Sequence, residues 1–125
     1  MYQTVGHDAV HAVAAAMDVP LYRRPIQGMP LNQSAEYGAR RGGAPEPGDE
    51  TEDLYALLRL VKEHHPEADA VSAGAILSNY QRVRVEHVAL RPDIALQPLA
   101  FLWMRNQSSL LAEMVAAGLD AMLIK

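Results

Sequence analysis

Three stretches of the chain repeat apolar residues at intervals of three or four positions, as an amphipathic helix does, and the first two follow the spacing i, i+3, i+4 and i+7. The spacing predicts helices over 7–17, over about 49–65 and over about 107–117. The apolar side chains expected on their buried faces are Val10, Val13, Ala14 and Met17 in the first, Leu54, Leu57, Leu58 and Val61 in the second, and Leu110, Leu111, Met114 and Val115 in the third. Each helix therefore has one face for a core.

The second of these helices carries the clearest end signals. Asp49 stands at the expected N-cap, and Glu52 three residues later is placed to complete a capping box. Acidic residues crowd its first turn and basic residues its last turn, as the helix dipole favours, and Pro66 stops it. Gly118 is placed to end the third helix in a left-handed conformation.

Short apolar runs between the helical stretches predict strands. They cover 19–22, 70–77, 94–101 and 121–124, and Pro98 weakens the third. The run 70–77 (AVSAGAIL) is apolar apart from one serine, as expected of a strand buried on both faces of a parallel sheet. Because helices alternate with these runs, the pattern predicts an α/β fold with a parallel sheet and flanking helices.

Residues 27–48 show neither spacing. Within them, the stretch 38–48 (GARRGGAPEPG) gathers four glycines and two prolines, which predicts a flexible loop. At 125 residues, the chain is long enough for one domain with a core and too short to expect two.

Composition narrows the function classes. The net charge is −4, so no global basic field is available to recruit nucleic acid or an acidic membrane. The chain has no cysteine, which excludes a disulfide framework and a thiolate metal site. Its start has no signal-peptide pattern, and no apolar run approaches the roughly 18 residues of a membrane span. We therefore expect a cytoplasmic protein.

The candidate site follows the apolar run 70–77 directly. Ser78 or Asn79 is expected to cap a helix that runs to about Leu90, before Pro92. Ligands of open α/β sheets bind outside the carboxyl ends of the strands, so this junction is the first place to expect function. The candidate site residues, with the glycine and the serine shaping the turn, are Gly74, Ser78, Tyr80, Gln81, Arg82, Arg84 and Glu86.

Two interpretations of this polar stretch remain open. In the first, the arginine forks and the amides of the helix N terminus bind a phosphate or a carboxylate, while Tyr80 and Gln81 position the substrate. In the second, Ser78 and Gln81 only cap the helix, and Arg82 pairs with Glu86 one turn away.

Other polar residues are weaker candidates. Arg23 and Arg24 are suited to an anion or to surface salt bridges, and Trp103 to stacking on a base or to packing in a core. The histidines at 7, 11, 64 and 65 have no third ligand specified by the sequence, so we expect no metal site. No Walker loop, dinucleotide fingerprint or nucleophile elbow is present.

Five segments together resemble the diphthine-ammonia ligase family, also called diphthamide synthase, of the ATP-pyrophosphatase group. They are MYQTVGH at 1–7, PLYRRPIQG at 20–28, EDLYALLRLVK at 52–62, GAILSNYQRVRVEHV at 74–88 and LQPLAFLWMRNQ at 96–107. The resemblance covers nearly the whole chain. It implies a Rossmann-like sheet of the HUP type.

The resemblance also implies an ATP-dependent amidation. In that reaction the diphthine carboxylate on elongation factor 2 is adenylated, pyrophosphate leaves, and ammonia displaces AMP to give diphthamide. The implied ligands are ATP with Mg, the diphthine form of elongation factor 2, and ammonium. Stabilising the charge of the departing pyrophosphate would then be the main task of the protein.

Two motifs of the family are missing from residues 1–125. Family members carry an SGGKDS loop before the region matched here and an EGGEYET segment after it, and Asn79 stands where an aspartate is usual. We therefore expect an internal fragment with an incomplete sheet, inactive alone, marginally stable and prone to associate. The competing expectation is a catalytically inactive module that recognises elongation factor 2. A stress-protein-type adenine-nucleotide-binding domain is the third.

Overall fold

The computed structural model describes residues 6–34, Tyr37 and residues 45–122. Its elements there are α1 (Val10–Ala16), α2 (Glu50–His64), β1 (Ala70–Ser72), α3 (Asn79–Ala89), β2 (Gln97–Leu99) and α4 (Gln107–Ala116). A 3-10 turn over His7–Ala9 leads into α1. The prediction of an α/β chain with a parallel sheet is confirmed, and the four helices of the described residues lie where the sequence predicted them.

β1 and β2 form a two-stranded parallel sheet, with α3 as the crossover that parallel strands require. The register pairs Ser72 with Leu99 at the carboxyl ends. The Ala73 N–H donates to the Leu99 carbonyl at 2.9 Å, so the pairing continues one residue further. Pro98 is tolerated because each strand of this two-stranded sheet has an edge that needs no donor.

An apolar core lies between α2, α3 and the sheet. Its buried members are Leu58, Val88, Ala89, Ile94 and Leu96, with Leu54, Tyr55, Ala68 and Val71 packed against them. Val88, Ala89 and Ile94 are fully excluded from solvent. Because Leu58 of α2 and Val88 and Ala89 of α3 belong to this core, it holds the two helices against each other.

The predicted strand over 70–77 is shorter in the structure. Only Ala70–Ser72 pairs with β2, and Leu77 is 64% exposed. The expectation that the whole run is buried on both faces is therefore wrong. The physical reason is that the chain leaves the ladder after Ser72 and turns into the N-cap of α3, so its later residues have no strand beside them in the described part of the chain.

The predicted strand over 94–101 also narrows, to Gln97–Leu99. Ile94 and Leu96 are buried, but in the core rather than in the ladder. Ala95 between them has a left-handed φ of 50°, and the Leu96 N–H donates to the Ala89 carbonyl at 2.9 Å. The apolar pattern thus predicted the burial of Ile94 and Leu96 correctly, but the extent of pairing and the burial of Phe101, which is 73% exposed, incorrectly.

Two further strand predictions do not hold. Residues 19–22 form no strand, since Pro20 lacks a ladder donor and Tyr22 instead places its hydroxyl 2.9 Å from Nε2 of His65, at the end of α2. Ala121 and Met122 are in no strand either. Residues 123–125 lie outside the described part, as do residues 38–44 of the predicted loop.

Side-chain caps start three of the helices. Asp49 accepts from the Thr51 N–H at 2.9 Å, Ser78 from the Gln81 N–H at 3.3 Å, and Asn106 from the Ser109 N–H at 3.0 Å. Gly118 has a φ of 82° and ends α4 in the left-handed conformation, as predicted.

The predicted capping box of α2 is wrong in one member. Glu52 does not return to the Asp49 N–H, which donates instead to the Glu46 carbonyl at 3.0 Å. The Glu52 carboxylate faces Arg91, a partner far along the chain, and two charge-assisted bonds to a guanidinium outweigh a single bond to a backbone amide.

The described residues divide into two compact units. The first spans Tyr22–Trp103, and the second is drawn from 2–21 and 104–125 and holds α1 and α4. In the second unit Leu110 is buried, but Val13 is 56% and Val115 is 65% exposed. The apolar faces predicted for α1 and α4 are therefore largely exposed, because no described element of this unit covers them.

Candidate functional site

The carboxyl ends of the two strands bring two junctions to one edge of the sheet. β1 ends at Ser72 and leads into the N terminus of α3, while β2 ends at Leu99 and leads into a turn that reaches Trp103. The Trp103 N–H donates to the Ala100 carbonyl at 3.1 Å and closes this turn. This is the edge at which the sequence predicted a site.

At this edge, Ser78 is the N-cap of α3, and its hydroxyl oxygen accepts from the Gln81 amide. Gly74 lies in the connection before it, is exposed, and has open space where a Cβ would stand. The capping interpretation is thus observed for Ser78 and Gln81. Whether the first turn of α3 also binds an anion stays a prediction.

Arg82 lies at the surface of α3, one turn after the cap. Its guanidinium donates through Nη1 to Glu86 and through Nη2 to Asn79 Oδ1, the latter at 2.8 Å. The Arg82 Cζ lies 4.7 Å from the centre of the Trp103 ring. The predicted Arg82–Glu86 pair therefore exists, and the stacked Trp103 joins the two junctions at this edge.

Arg84 points to the opposite side of the helix, because two residues correspond to roughly 200° around a helix axis. It is fully buried. Its guanidinium lies over the Tyr80 ring at 3.3 Å and over the Tyr37 ring at 5.0 Å, and it donates to the carbonyls of Tyr80 and Asn32. Arg84 thus holds the segment around Asn32 against α3.

Tyr80 connects this buried arginine to α2. Its hydroxyl donates to Glu50 Oε1 at 3.2 Å, while its ring covers the Arg84 guanidinium. Burial raises the pKa of Tyr80, the Arg84 charge opposes this, and the neighbouring Glu50 carboxylate adds to the rise. The phenol therefore stays protonated and remains a hydrogen-bond donor.

A second polar cluster, which the sequence did not indicate, lies between α2 and the end of α3. Arg91 donates to both oxygens of Glu52, at 2.8 and 2.7 Å. His87 is buried beside them, with its ring 4.9 Å from that of Tyr37 in an edge-to-face contact. The Tyr37 hydroxyl donates to Glu52 at 3.3 Å.

The charge states in this cluster follow from its burial. Burial raises the pKa of Glu52, but the hydrogen bonds and charge of Arg91 outweigh it, and the carboxyl pKa lies below its usual value. Burial and the nearby Arg91 lower the pKa of His87, so its imidazole is neutral at pH 7. Burial also raises the pKa of Tyr37 far above its ordinary range.

Two carboxylates at the start of α2 hold residues 27–32 by accepting hydrogen bonds from backbone N–H groups. Asp49 accepts from the N–H groups of Leu31 and Asn32 at 3.0 and 3.1 Å, and Asp53 accepts from that of Gly28 at 2.8 Å. Nε of Arg24 lies 3.6 Å from Oδ1 of Asp53, so Arg24 forms a salt bridge, one of the two roles considered for it. No local periodicity in 27–48 could have revealed these contacts, since their acceptors lie on α2.

The remaining candidates contribute little chemistry. No group of three His, Cys, Asp or Glu side chains in the described part of the chain is arranged to hold a metal ion. None of the helices described there combines the length and the apolar character of a membrane span. An open concavity lined by Arg59, Lys62, Glu63 and Asp93 contains none of the predicted site residues.

Sequence comparison finds relatives along the whole chain. It is 56% identical over 125 residues to the "Diphthine--ammonia ligase" of Danio rerio, covering 46% of that protein. It is 53% identical to the human protein of the same name, covering 43% of it, and 49% identical to that of Schizosaccharomyces pombe, covering 19%.

These matches confirm the family resemblance carried by the five motifs. The chain spans less than half the length of these curated relatives. No family model matches the chain, and no solved structure matches it.

Proposed function

We propose that this chain, a relative of the diphthine-ammonia ligases along its whole length, supplies part of the substrate-binding surface of such an enzyme. The observation that carries the proposal is the 56% identity over all 125 residues to a protein of that name. The structure supports it by placing the most polar matched motif, residues 78–86, beside the carboxyl ends of both strands.

The proposed reaction forms an amide from a carboxylate and ammonia. The diphthine carboxylate of elongation factor 2 attacks the α-phosphate of ATP, which releases pyrophosphate and gives an acyl adenylate. Ammonia then attacks the acyl carbon, loses a proton, and displaces AMP. Activation is needed because a carboxylate is a poor electrophile, and the charge on the leaving pyrophosphate and AMP must be stabilised by fixed donors.

The described residues suit different parts of this task. Arg82 is the arginine of the motif that reaches the surface, so we assign it to an oxyanion of the substrate. Glu86 and Asn79 orient its guanidinium. Ser78 and Gln81 shape the first turn of α3, and the buried Arg84 and Tyr80 support that turn from inside.

The remainder of the site would come from outside the described residues. We propose that the two parallel strands belong to a larger Rossmann-like sheet of the HUP type, with ATP bound along its carboxyl edge. The described residues do not fit a magnesium site, since they contain no cluster of three acidic or histidine ligands. Any Mg required with ATP would then be held elsewhere. We place the reaction in the cytoplasm.

A chimaera tests the proposed function. The stretch of the Danio rerio ligase that aligns with this chain is replaced by the 125-residue chain, and AMP formation is measured with ATP, ammonium and elongation factor 2 carrying diphthine. We expect the chimaera to be active and the isolated chain to be inactive. A folded chimaera that forms no AMP contradicts the proposal.

A matched pair of variants then locates the site within the active chimaera. Arg82→Ala and Arg59→Ala each remove an arginine from an i,i+4 pair with a glutamate, on α3 and on α2 respectively. We expect only Arg82→Ala to lower the rate of AMP formation, by ten-fold or more. Equal rates for the two variants would remove Arg82 from the site. An inactive chimaera that still binds elongation factor 2 would favour the alternative, a catalytically inactive module that recognises this factor.

A further inference from the structure

Trp103 is the one tryptophan of the chain, and its position is not that of a core residue. It is half-buried in the turn after β2 and is absent from the apolar cluster between α2, α3 and the sheet. Its neighbour Phe101 is 73% exposed. The guanidinium carbon of Arg82 lies over its indole ring, 4.7 Å from the ring centre.

The guanidinium of Arg82 is held in a defined plane. Its Cζ lies over the indole ring, and Glu86 and Asn79 each accept from one terminal nitrogen. The Nε atom is buried and has no partner among the described residues, but the same is true of Nε in Arg84 and Arg91, so it does not by itself indicate a ligand.

The guanidinium of Arg82 is suited to accept an oxyanion in place of its partners within the chain. Glu86 uses a single nitrogen of Arg82, although a guanidinium offers a two-nitrogen edge that matches a carboxylate or a phosphate. The side chains of Arg82 and Glu86 are 26% and 34% exposed, and ion pairs of such exposure are weak. A ligand with two oxyanion oxygens can therefore replace Glu86 and Asn79 on the edge formed by Nη1 and Nη2 of Arg82.

We propose that Trp103 is a positioning residue, whose indole holds the Arg82 guanidinium in the plane in which it binds a phosphate or carboxylate group of the substrate. This inference rests on the proposed function and adds the residue that orients its anion contact. Lysine at position 82 cannot replace arginine in this role, because an ammonium has no planar edge to stack or to bind two oxygens.

Intrinsic fluorescence provides a direct readout, since every tryptophan signal of the chain comes from Trp103. Purified 125-residue chain is titrated with inorganic pyrophosphate, and separately with acetate, at constant ionic strength. We expect a saturable change in Trp103 emission. The more effective anion shows whether a phosphate or a carboxylate is preferred. The signal should vanish in Arg82→Ala and persist in Arg59→Ala, its exposed counterpart on α2.

Calorimetric titration of position-103 variants with the more effective anion completes the test. We expect Trp103→Leu to weaken binding by about three-fold or more and Trp103→Phe to restore most of it, because phenylalanine keeps a π face for the guanidinium. Circular dichroism melting confirms that each variant is folded.

Two results would overturn the inference. One is binding by Trp103→Leu as tight as that of the original chain, and the other is the absence of binding by either anion. Neither result depends on AMP formation, so this inference and the proposed function can fail separately. If the chimaera is active but Trp103→Leu binds the anion normally, only the inference is removed.

Discussion

Arg91 donates to Glu52 through both terminal nitrogens, at 2.8 and 2.7 Å. The pair connects the segment just after α3 to the first turn of α2. The Arg91 side chain is 9% exposed and that of Glu52 is 20% exposed. Removing one partner of so buried a pair leaves the other charge without compensation, which is far more costly than losing an exposed pair.

Arg91→Met should therefore lower the free energy of unfolding by about 3 kcal/mol, as expected for a broken buried ion pair. Arg59→Met is the matched control. It removes an arginine paired with Glu63 on the solvent side of α2, where the side chains are 59% and 57% exposed, and should leave the free energy of unfolding nearly unchanged. Urea denaturation of the two variants measures the difference, and similar losses would show that the Arg91 pair is not a buried anchor.

His87 should make stability depend on pH near neutrality. Its native pKa lies below the ordinary value of 6.5, because burial and Arg91 disfavour the imidazolium more than Glu52 favours it. As the pH falls through 6.5, the unfolded chain binds a proton on His87 that the folded chain resists. The unfolded state then holds more protons, so stability falls with falling pH.

Urea denaturation between pH 7.5 and pH 5.5 checks this prediction. The free energy of unfolding should decrease toward pH 5.5, and His87→Gln should flatten the decrease. Glu52 does not contribute over this pH range. Its pKa is lowered in the folded chain, so the stability that its ionised form provides is lost only as the pH falls below the ordinary glutamate value of 4.5. An unchanged slope in His87→Gln would contradict the assignment to this residue.

The sequence predicted the features that depend on neighbouring residues. The N-caps of α2 and α3 and the left-handed Gly118 were identified because a cap and its acceptor lie within a few positions. The Glu52–Arg91 pair joins residues 39 positions apart, and no local pattern encodes it. Arg82 and Arg84 looked equivalent in the motif, yet only the packing of α3 decides that the first is at the surface and the second is buried.

Gly28 illustrates a constraint that the sequence hides. A Cβ at this position would stand 2.6 Å from the backbone of Asp49 and Glu50, because the Met29–Asp49 bridge brings the two segments together. Backbone atoms cannot rotate away, so Gly28→Ala should cost about 2 kcal/mol or more by overpacking.

Gly74→Ala is the control for that substitution. Open space surrounds its Cβ position, so the change should leave the free energy of unfolding within about 0.5 kcal/mol of the original. Thermal melting of the two alanine variants separates them. A tolerated Gly28→Ala would mean that the segment 27–32 does not approach α2 as closely as described.

Among the described N-caps, Asp49 should contribute the most to the free energy of unfolding. It is 1% exposed and accepts from three backbone N–H groups, those of Thr51, Leu31 and Asn32. Burial raises the pKa of the Asp49 carboxyl, but hydrogen bonds to the ionised form lower it by more. The carboxyl is therefore ionised at neutral pH. Asp49→Ala should cost about 2 kcal/mol, at the upper end for caps, and Ser78→Ala, with one such bond, about 1 kcal/mol.

Chemical denaturation ranks these two cap variants. Asp49→Asn adds a test of charge, since an amide keeps an acceptor oxygen but loses the carboxylate that three donors favour. We expect its stability to lie between those of the original chain and Asp49→Ala. Equal stability of Asp49→Ala and Ser78→Ala would show that the contacts to Leu31 and Asn32 add nothing to the cap.

Ile94 and Val115 are both apolar, but they differ in burial. Both belong to apolar runs that the sequence assigned to a core, but Ile94 is fully buried between α2, α3 and the sheet, whereas Val115 on α4 is 65% exposed. Ile94→Ala should therefore lower the free energy of unfolding by about 3 kcal/mol through lost burial and a cavity. Val115→Ala should change it by less than about 0.5 kcal/mol. Urea denaturation measures both, and a large loss in Val115→Ala would reveal that α4 is covered in solution by a surface that the described residues do not provide.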